Sequence, residues 1–224
     1  MIPPQEDASF VAAMEDVLEV YQRPHDPLQP VVCIDETTKQ LLKETRQPIP
    51  MQPGQPQRVD YEYERNGTAS IFMIFAPLEG KREAIVTDRH TAIDYAHALK
   101  HISDVMFPNA EKIPLVQDNL NTHNPASLYK AFEPQEARRL VERFEWHYTP
   151  KHGSWLDMAE CELSVLSSQC LDRRIGDFDT LSAEVAAWVA DRNKCCAKAD
   201  WQFTTQDART KLKSLYPTFP IQNE

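Results

Sequence analysis

Two aspartates each follow a short apolar run. Asp35 comes after Val-Val-Cys-Ile at 31–34, and Asp118 after Ile-Pro-Leu-Val-Gln at 113–117. Ligands of open α/β sheets bind beyond strand ends, so two carboxylates placed there can share a site. The helical stretch after Gly153 offers a third acid, with Asp157, Glu160 and Glu162 as candidates. Helix geometry puts Asp157 and Glu160 on neighbouring faces, while Glu162 points elsewhere. The chemistry open to such a set is in-line phosphoryl displacement. Two divalent ions about 3.5–4 Å apart activate a water or 3′-hydroxyl and stabilise the leaving oxygen. Hard Mg²⁺ takes oxygen ligands, hence Asp and Glu rather than His or Cys. Clustered carboxylates repel one another and need the ions to coexist. A plainer reading competes. The chain has 34 acidic residues, most acids are solvated surface, and an Asp after a strand is also a common turn or cap residue.

The elements that must position these acids follow from periodicity. Residues 10–22 read as a short amphipathic helix, and Pro24, Pro27 and Pro30 then force an extended connection. Val31–Ile34 reads as a buried strand ending on Asp35. A proline-rich loop covers 47–56, and Asn66-Gly67 is a hairpin-type turn signal. Strands are predicted over 68–75 and 83–87, pairing antiparallel across the short loop at 77–81. Helical spacing governs 91–107, a strand fills 113–117, and helices follow over 125–132 and 134–143. A fifth strand at 144–148 precedes helices near 156–170, 180–193 and 203–216, the last capped by Thr204 or Thr205. Strands interleaved with helices in this order predict a mixed five-stranded sheet flanked by helices, an α/β fold. The expected division is an N-terminal helix and proline-rich linker over 1–30, a catalytic domain over 31–217 and a tail over 218–224.

Composition narrows the function classes. With 224 residues, 42% hydrophobic and 26% charged, the chain is long enough to bury a core without disulfide or metal staples. Its formal net charge of −10 argues against an autonomous, sequence-blind nucleic-acid binder. A local basic strip or bound metal ions can still bring DNA to it. No apolar run of about 18 residues exists, so no membrane span is expected. The first residues lack the basic and apolar regions of a signal peptide. Five cysteines, an odd number without C-x-x-C spacing, favour reduced thiols in the cytoplasm over a zinc site.

Three segments sharpen this reading. C-I-D-E-T at 33–37, V-Q-D-N-L-N-T-H at 116–123 and Y-T-P-K-H-G-S-W-L-D-M-A-E-C-E-L-S-V-L at 148–166 resemble, in order, the three acidic motifs of DDE transposases. The tail W-Q-F-T-T-Q-D-A-R-T-K-L-K-S-L-Y-P at 201–217 is similar to the end of those proteins. The resemblance is to the bacterial insertion-sequence branch of the mariner-like superfamily, the DDE superfamily endonuclease domain, and covers roughly 31–217. It implies a ribonuclease-H-like fold. It also implies Asp35, Asp118 and Glu160 as catalytic acids and metal ligands, and Mg²⁺ (replaceable by Mn²⁺), two ions in all, as cofactor. Asp157 stands where the family usually has Asn, which makes it a spare candidate for the third ligand. The implied partners are DNA, both element ends and target, and the implied location is the cytoplasm, at the nucleoid.

Around the acids, Asn119, His123, Lys151, His152 and Trp155 are candidate DNA or phosphate contacts. Each has a structural alternative: a turn and helix cap for 119–123, a solvated charge for Lys151, an exposed loop for His152, core packing for Trp155. About 30 residues precede the first strand, too few for the helix-turn-helix module with which mariner-like proteins read element ends. The reading is therefore a catalytic domain alone, served by a separate helix-turn-helix subunit and acting as a homodimer. Its rival is a catalytically silent or repurposed domain acting as a protein partner or inhibitor of transposase. A structure-selective nuclease on the same fold is a third, weaker reading.

Overall fold

The computed structural model describes residues 6–47, 49–56, 58 and 60–218. In chain order the elements are α1 (Ala8–Tyr21), β1 (Val32–Glu44), β2 (Tyr63–Ala76), β3 (Lys81–Thr87), α2 (Ala92–His101), β4 (Ile113–Gln117), α3 (Ala126–Ala131), α4 (Pro134–Arg143), β5 (Phe144–Tyr148), α5 (Met158–Leu166), α6 (Phe178–Lys194) and α7 (Thr205–Lys211). Wider π-helical turns at Ile102–Met106 and Ser167–Leu171 extend α2 and α5. The strands form one sheet in the order β3-β2-β1-β4-β5. β1, β2 and β3 run antiparallel as neighbours, while β1–β4 and β4–β5 are parallel. This is the mixed, helix-flanked sheet that the alternation of elements predicts.

Strand periodicity divides the core in two. On β2, Ile71, Met73 and Phe75 face one layer with α1, α5 and α6, where Met14, Leu18, Leu163 and Val185 are buried. Phe72, Ile74 and Ala76 face the other, with Tyr95, Leu99, Leu128 and Leu140 from α2, α3 and α4. A strand covered on both faces needs a continuous apolar run, and this is why Ser-Ile-Phe-Met-Ile-Phe-Ala at 70–76 shows no polar alternation. Among the described residues no helix is long and apolar enough to cross a membrane.

Two expectations need correction. β1 does not stop at Asp35 but runs on to Glu44, because β2 pairs with it from Cys33↔Phe75 to Glu44↔Tyr63. Asn66-Gly67 is not a turn. Gln40 pairs with Thr68 and Leu42 with Arg65, so Asn66 and Gly67 together oppose Leu41 in a bulge that uses the positive φ of Gly67. The chain reverses instead at Pro53-Gly54, where Gln52 and Gln55 exchange backbone hydrogen bonds and Gly54 has φ +79°. The expected N-terminal helix, α1, packs into the core. Asp7 caps it by accepting from the amides of Ser9 and Phe10, and Phe10, Met14, Val17, Leu18 and Tyr21 are buried. The Tyr21 hydroxyl donates to the Leu156 carbonyl at 2.7 Å, tying α1 to the entrance of α5. Of the expected tail, residues 219–224 lie outside the described residues.

Candidate active site

The parallel seam between β1 and β4 sets the site. Ile34 pairs with Gln117, so the next residues on the two strands, Asp35 and Asp118, stand side by side. Burial pushes the Asp35 carboxyl up to about 7; the Glu36 amide, donating to its Oδ1 at 2.7 Å, opposes this, and the charges of Asp118 and Glu36 add to it.

Asp118 has a dedicated partner. Burial alone would raise it, but the His123 ring, with Nδ1 2.5 Å from Asp118 Oδ1, holds it below the usual range. His123 Nε2 is 2.9 Å from Glu36 Oε2. Burial disfavours a charged ring, yet these two carboxylates raise His123 to about 9. The ring stacks on Tyr95 with centroids 4.6 Å apart, and the Tyr95 hydroxyl donates to the Gln117 side chain. His123 is only 1% exposed. As a candidate DNA contact it is therefore corrected: both nitrogens are engaged inside the protein, and its effect is to fix Asp118 against Glu36.

Glu160, in the first turn of α5, lines a cleft of about 710 Å³ together with Asp35, Glu36, Thr37 and Ser164. Its Oε2 is buried without a hydrogen-bond partner. Asp157 caps α5, its Oδ1 accepting from the Ala159 amide at 2.8 Å, while its Oδ2 is buried and unpartnered. Burial first, then the charge of Asp35 and, to a smaller degree, those of Asp118 and Glu160, push Asp157 well above the carboxylate range. Asp157 thus sits at the edge of the site as the cap of α5, its carboxyl raised by burial and by its acidic neighbours. Glu162 faces away and is paired elsewhere.

Among the described residues, no three His, Cys, Asp or Glu side chains already form a cage for an ion. The donor set nevertheless suits a hard divalent cation. It is all oxygen, Glu160 Oε2 is buried without a hydrogen-bond partner, and Asp35 is raised by burial beside like charges. Asp118 also lines an adjoining depression of about 330 Å³ with Asn119, Lys151 and His152. Lys151 and His152 are exposed there, and His152 has φ +67°. Trp155 is spent on packing, 6.3 Å from the Trp201 ring and 5.9 Å from Phe203, so its structural alternative is the one observed.

One pH dependence follows. Between the ordinary aspartate pKa of 3.8 and about 7, folded Asp35 keeps a proton that the unfolded chain has released. The contribution of Asp35 to stability without metal therefore falls as pH rises through that window. Thermal unfolding in EDTA is expected to show this fall, and Asp35→Asn to reduce it. An unchanged pH profile in that variant would contradict the burial argument.

A ribonuclease-H-like sheet carrying paired carboxylates on adjacent strands defines the class of DDE-type endonuclease domains. The family model of the DDE superfamily endonucleases matches residues 30–182, and the chain belongs to that family. Solved structures agree in fold. The mariner Mos1 paired end complex with Mg aligns at TM-score 0.57 and 14% identity over 97% of this chain and 66% of that one. The Mos1 strand transfer complex aligns at 0.54 and 16% over 95% and 61%. The catalytic domain of Mos1 mariner transposase aligns at 0.51 and 10% over 88% and 96%. The chain thus spans about three fifths of the transposase chains in the complexes and nearly all of the isolated catalytic domain. No curated protein matches it.

Proposed function

We propose that this chain is a transposase catalytic domain that cuts DNA at an element end and joins the freed end to target DNA. The observation that carries the reading is the placement of Asp35 and Asp118 on adjacent strands with Glu160 facing the same cleft. In the first step water attacks a phosphorus and the P–O3′ bond breaks, leaving a 3′-hydroxyl. In the second, that hydroxyl oxygen forms a bond to a target phosphorus and displaces the target 3′-oxygen. Asp35, Asp118 and Glu160 would hold the divalent ions, Mg²⁺ or Mn²⁺. When bound, these supply charge stabilisation to the attacking and leaving oxygens. His123 holds the Asp118 carboxylate in place through Nδ1, 2.5 Å from its Oδ1. Asn119, Lys151 and His152 line the depression beside Asp118, where a phosphate of the bound strand fits. A separate helix-turn-helix subunit reads the element ends, two copies work as a homodimer, and the reaction takes place at the nucleoid.

The test is nicking of supercoiled DNA by the full chain with Mg²⁺ or Mn²⁺, with fusion to an end-binding module if the chain alone is slow. Metal-dependent nicks are expected, and their absence from the fused protein would overturn the reading. The chain by itself should bind duplex DNA weakly and without sequence choice, with affinity falling steeply as salt rises. Tight, sequence-selective binding at physiological salt, measured by fluorescence anisotropy, would contradict the need for a separate end reader.

A further inference from the structure

Two residues beyond Glu160, on the opposite face of α5, lies a buried charge cluster that no step above uses. Arg82 of β3 is 0% exposed, an extreme position for a guanidinium. Its Nε is 3.0 Å from Glu162 Oε2. The other Glu162 oxygen accepts from Arg192 of α6 at 2.7 Å. Arg82 has further contacts. Its guanidinium donates to the Ala197 carbonyl at 2.5 Å and lies 4.9 Å from the centre of the Phe75 ring. Its backbone exchanges hydrogen bonds with the Asn193 side chain at 2.9 and 2.8 Å. β3, α5 and α6 are thus joined through one carboxylate.

The position of that carboxylate gives the cluster a consequence for the site. Residues two apart on a helix point about 200° from one another. Holding Glu162 towards β3 therefore turns Glu160 into the cleft with Asp35. The Asp157 cap fixes the start of the same helix. Cap and ion pair both oppose rotation of α5 about its axis.

We propose that Arg82 and Glu162 are positioning residues for the reaction, an anchor that sets the rotation of α5 and so the aim of Glu160. The inference rests on the reading of Glu160 as a metal ligand. Groups that orient metal ligands from behind typically change metal affinity by about 10–100-fold when replaced. A buried pair that served stability alone could instead be exchanged for apolar side chains of similar size with little penalty.

The experiment is Mn²⁺ binding to the full chain, followed by electron paramagnetic resonance, with the melting temperature recorded for each variant. Glu162→Gln and Arg82→Lys are expected to weaken Mn²⁺ binding roughly tenfold or more. The double variant Arg82→Met with Glu162→Met should recover melting temperature relative to the single variants and leave Mn²⁺ binding weakened. Wild-type Mn²⁺ affinity in any folded variant of either residue overturns the proposal. So does loss of folding in all three, which would assign the pair to stability alone. Glu160→Gln is the separate control. If it binds Mn²⁺ as the wild type does, the assignment of Glu160 itself has failed, a result distinguishable from failure of the anchor.

Discussion

Asp35→Asn and Asp118→Asn will each lower metal-dependent nicking by roughly 10²–10³-fold or more, the scale on which enzymes lose rate when a group that stabilises transition-state charge is removed. Each exchange takes away one negative charge with almost no change of shape. The fold should survive, and in Asp35→Asn it should gain stability without metal, because the raised carboxyl is the one that burial and like charges disfavour. Glu160→Gln should fall with them. Asp157→Asn should be tolerated. Burial disfavours a charge at Asp157, and the amide oxygen of Asn still caps α5 by accepting from the Ala159 amide. The assay is nicking of supercoiled DNA by all four variants. If Asp157→Asn abolishes activity and Glu160→Gln does not, the third ligand is Asp157. Full activity in Asp35→Asn would end the metal-ion mechanism for this protein.

A fragment beginning at residue 31 will not fold. The family match begins at residue 30, which makes that cut attractive for expression. Yet α1 contributes Phe10, Met14, Val17, Leu18, Val20 and Tyr21 to the core, each no more than 6% exposed. At about 1.5–3 kcal/mol per fully buried apolar side chain, their removal costs on the order of 10 kcal/mol. A typical domain is stable by only about 5–15 kcal/mol. Polar ties are lost as well, since Asp16 pairs with His147 at 2.8 Å and Arg23 with Glu145 at 2.8 Å. The milder Met14→Ala should cost about 2–5 kcal/mol by urea unfolding. Circular dichroism checks the fragment. A cooperative melt like that of the full chain would show that α1 is an accessory after all.

What could be read from the sequence was local. β4 and β5 fall at 113–117 and 144–148 as expected, the first as a short apolar run between Lys112 and Asp118, the second as an alternation of aromatic and polar residues between Arg143 and Thr149. Asp118 was legible as the end of the first run. Asp35 was legible as a site residue but not as the fourth residue of a 13-residue strand, since β1 beyond it is polar and is held by pairing with β2. Asn66-Gly67 misled because the dipeptide that favours a hairpin turn also satisfies a bulge with a positive φ. His123 read as a candidate DNA or phosphate contact because nothing nearby in sequence announces that Tyr95 and Glu36 will enclose it. The Arg82–Glu162 pair joins residues 80 positions apart. A lone charge in a strand and another in a helix carry no local sign of meeting.

The β1–β4 seam has a kinetic meaning. It rests on three paired positions, Val32↔Leu115, Cys33↔Val116 and Ile34↔Gln117, contributed by segments more than 80 residues apart. The β1-β2-β3 meander, by contrast, closes through consecutive antiparallel neighbours. Non-local parallel pairing is the slow event in folding, because loop-closure entropy is spent before any contact rewards it. The meander and its helices should therefore protect their amides first, with Asp35 already in place on β1. Asp118 arrives only when β4 docks. Competence to bind a divalent ion is then among the last properties a refolding chain acquires. In a stopped-flow experiment, Mn²⁺ capture should lag behind the recovery of secondary structure.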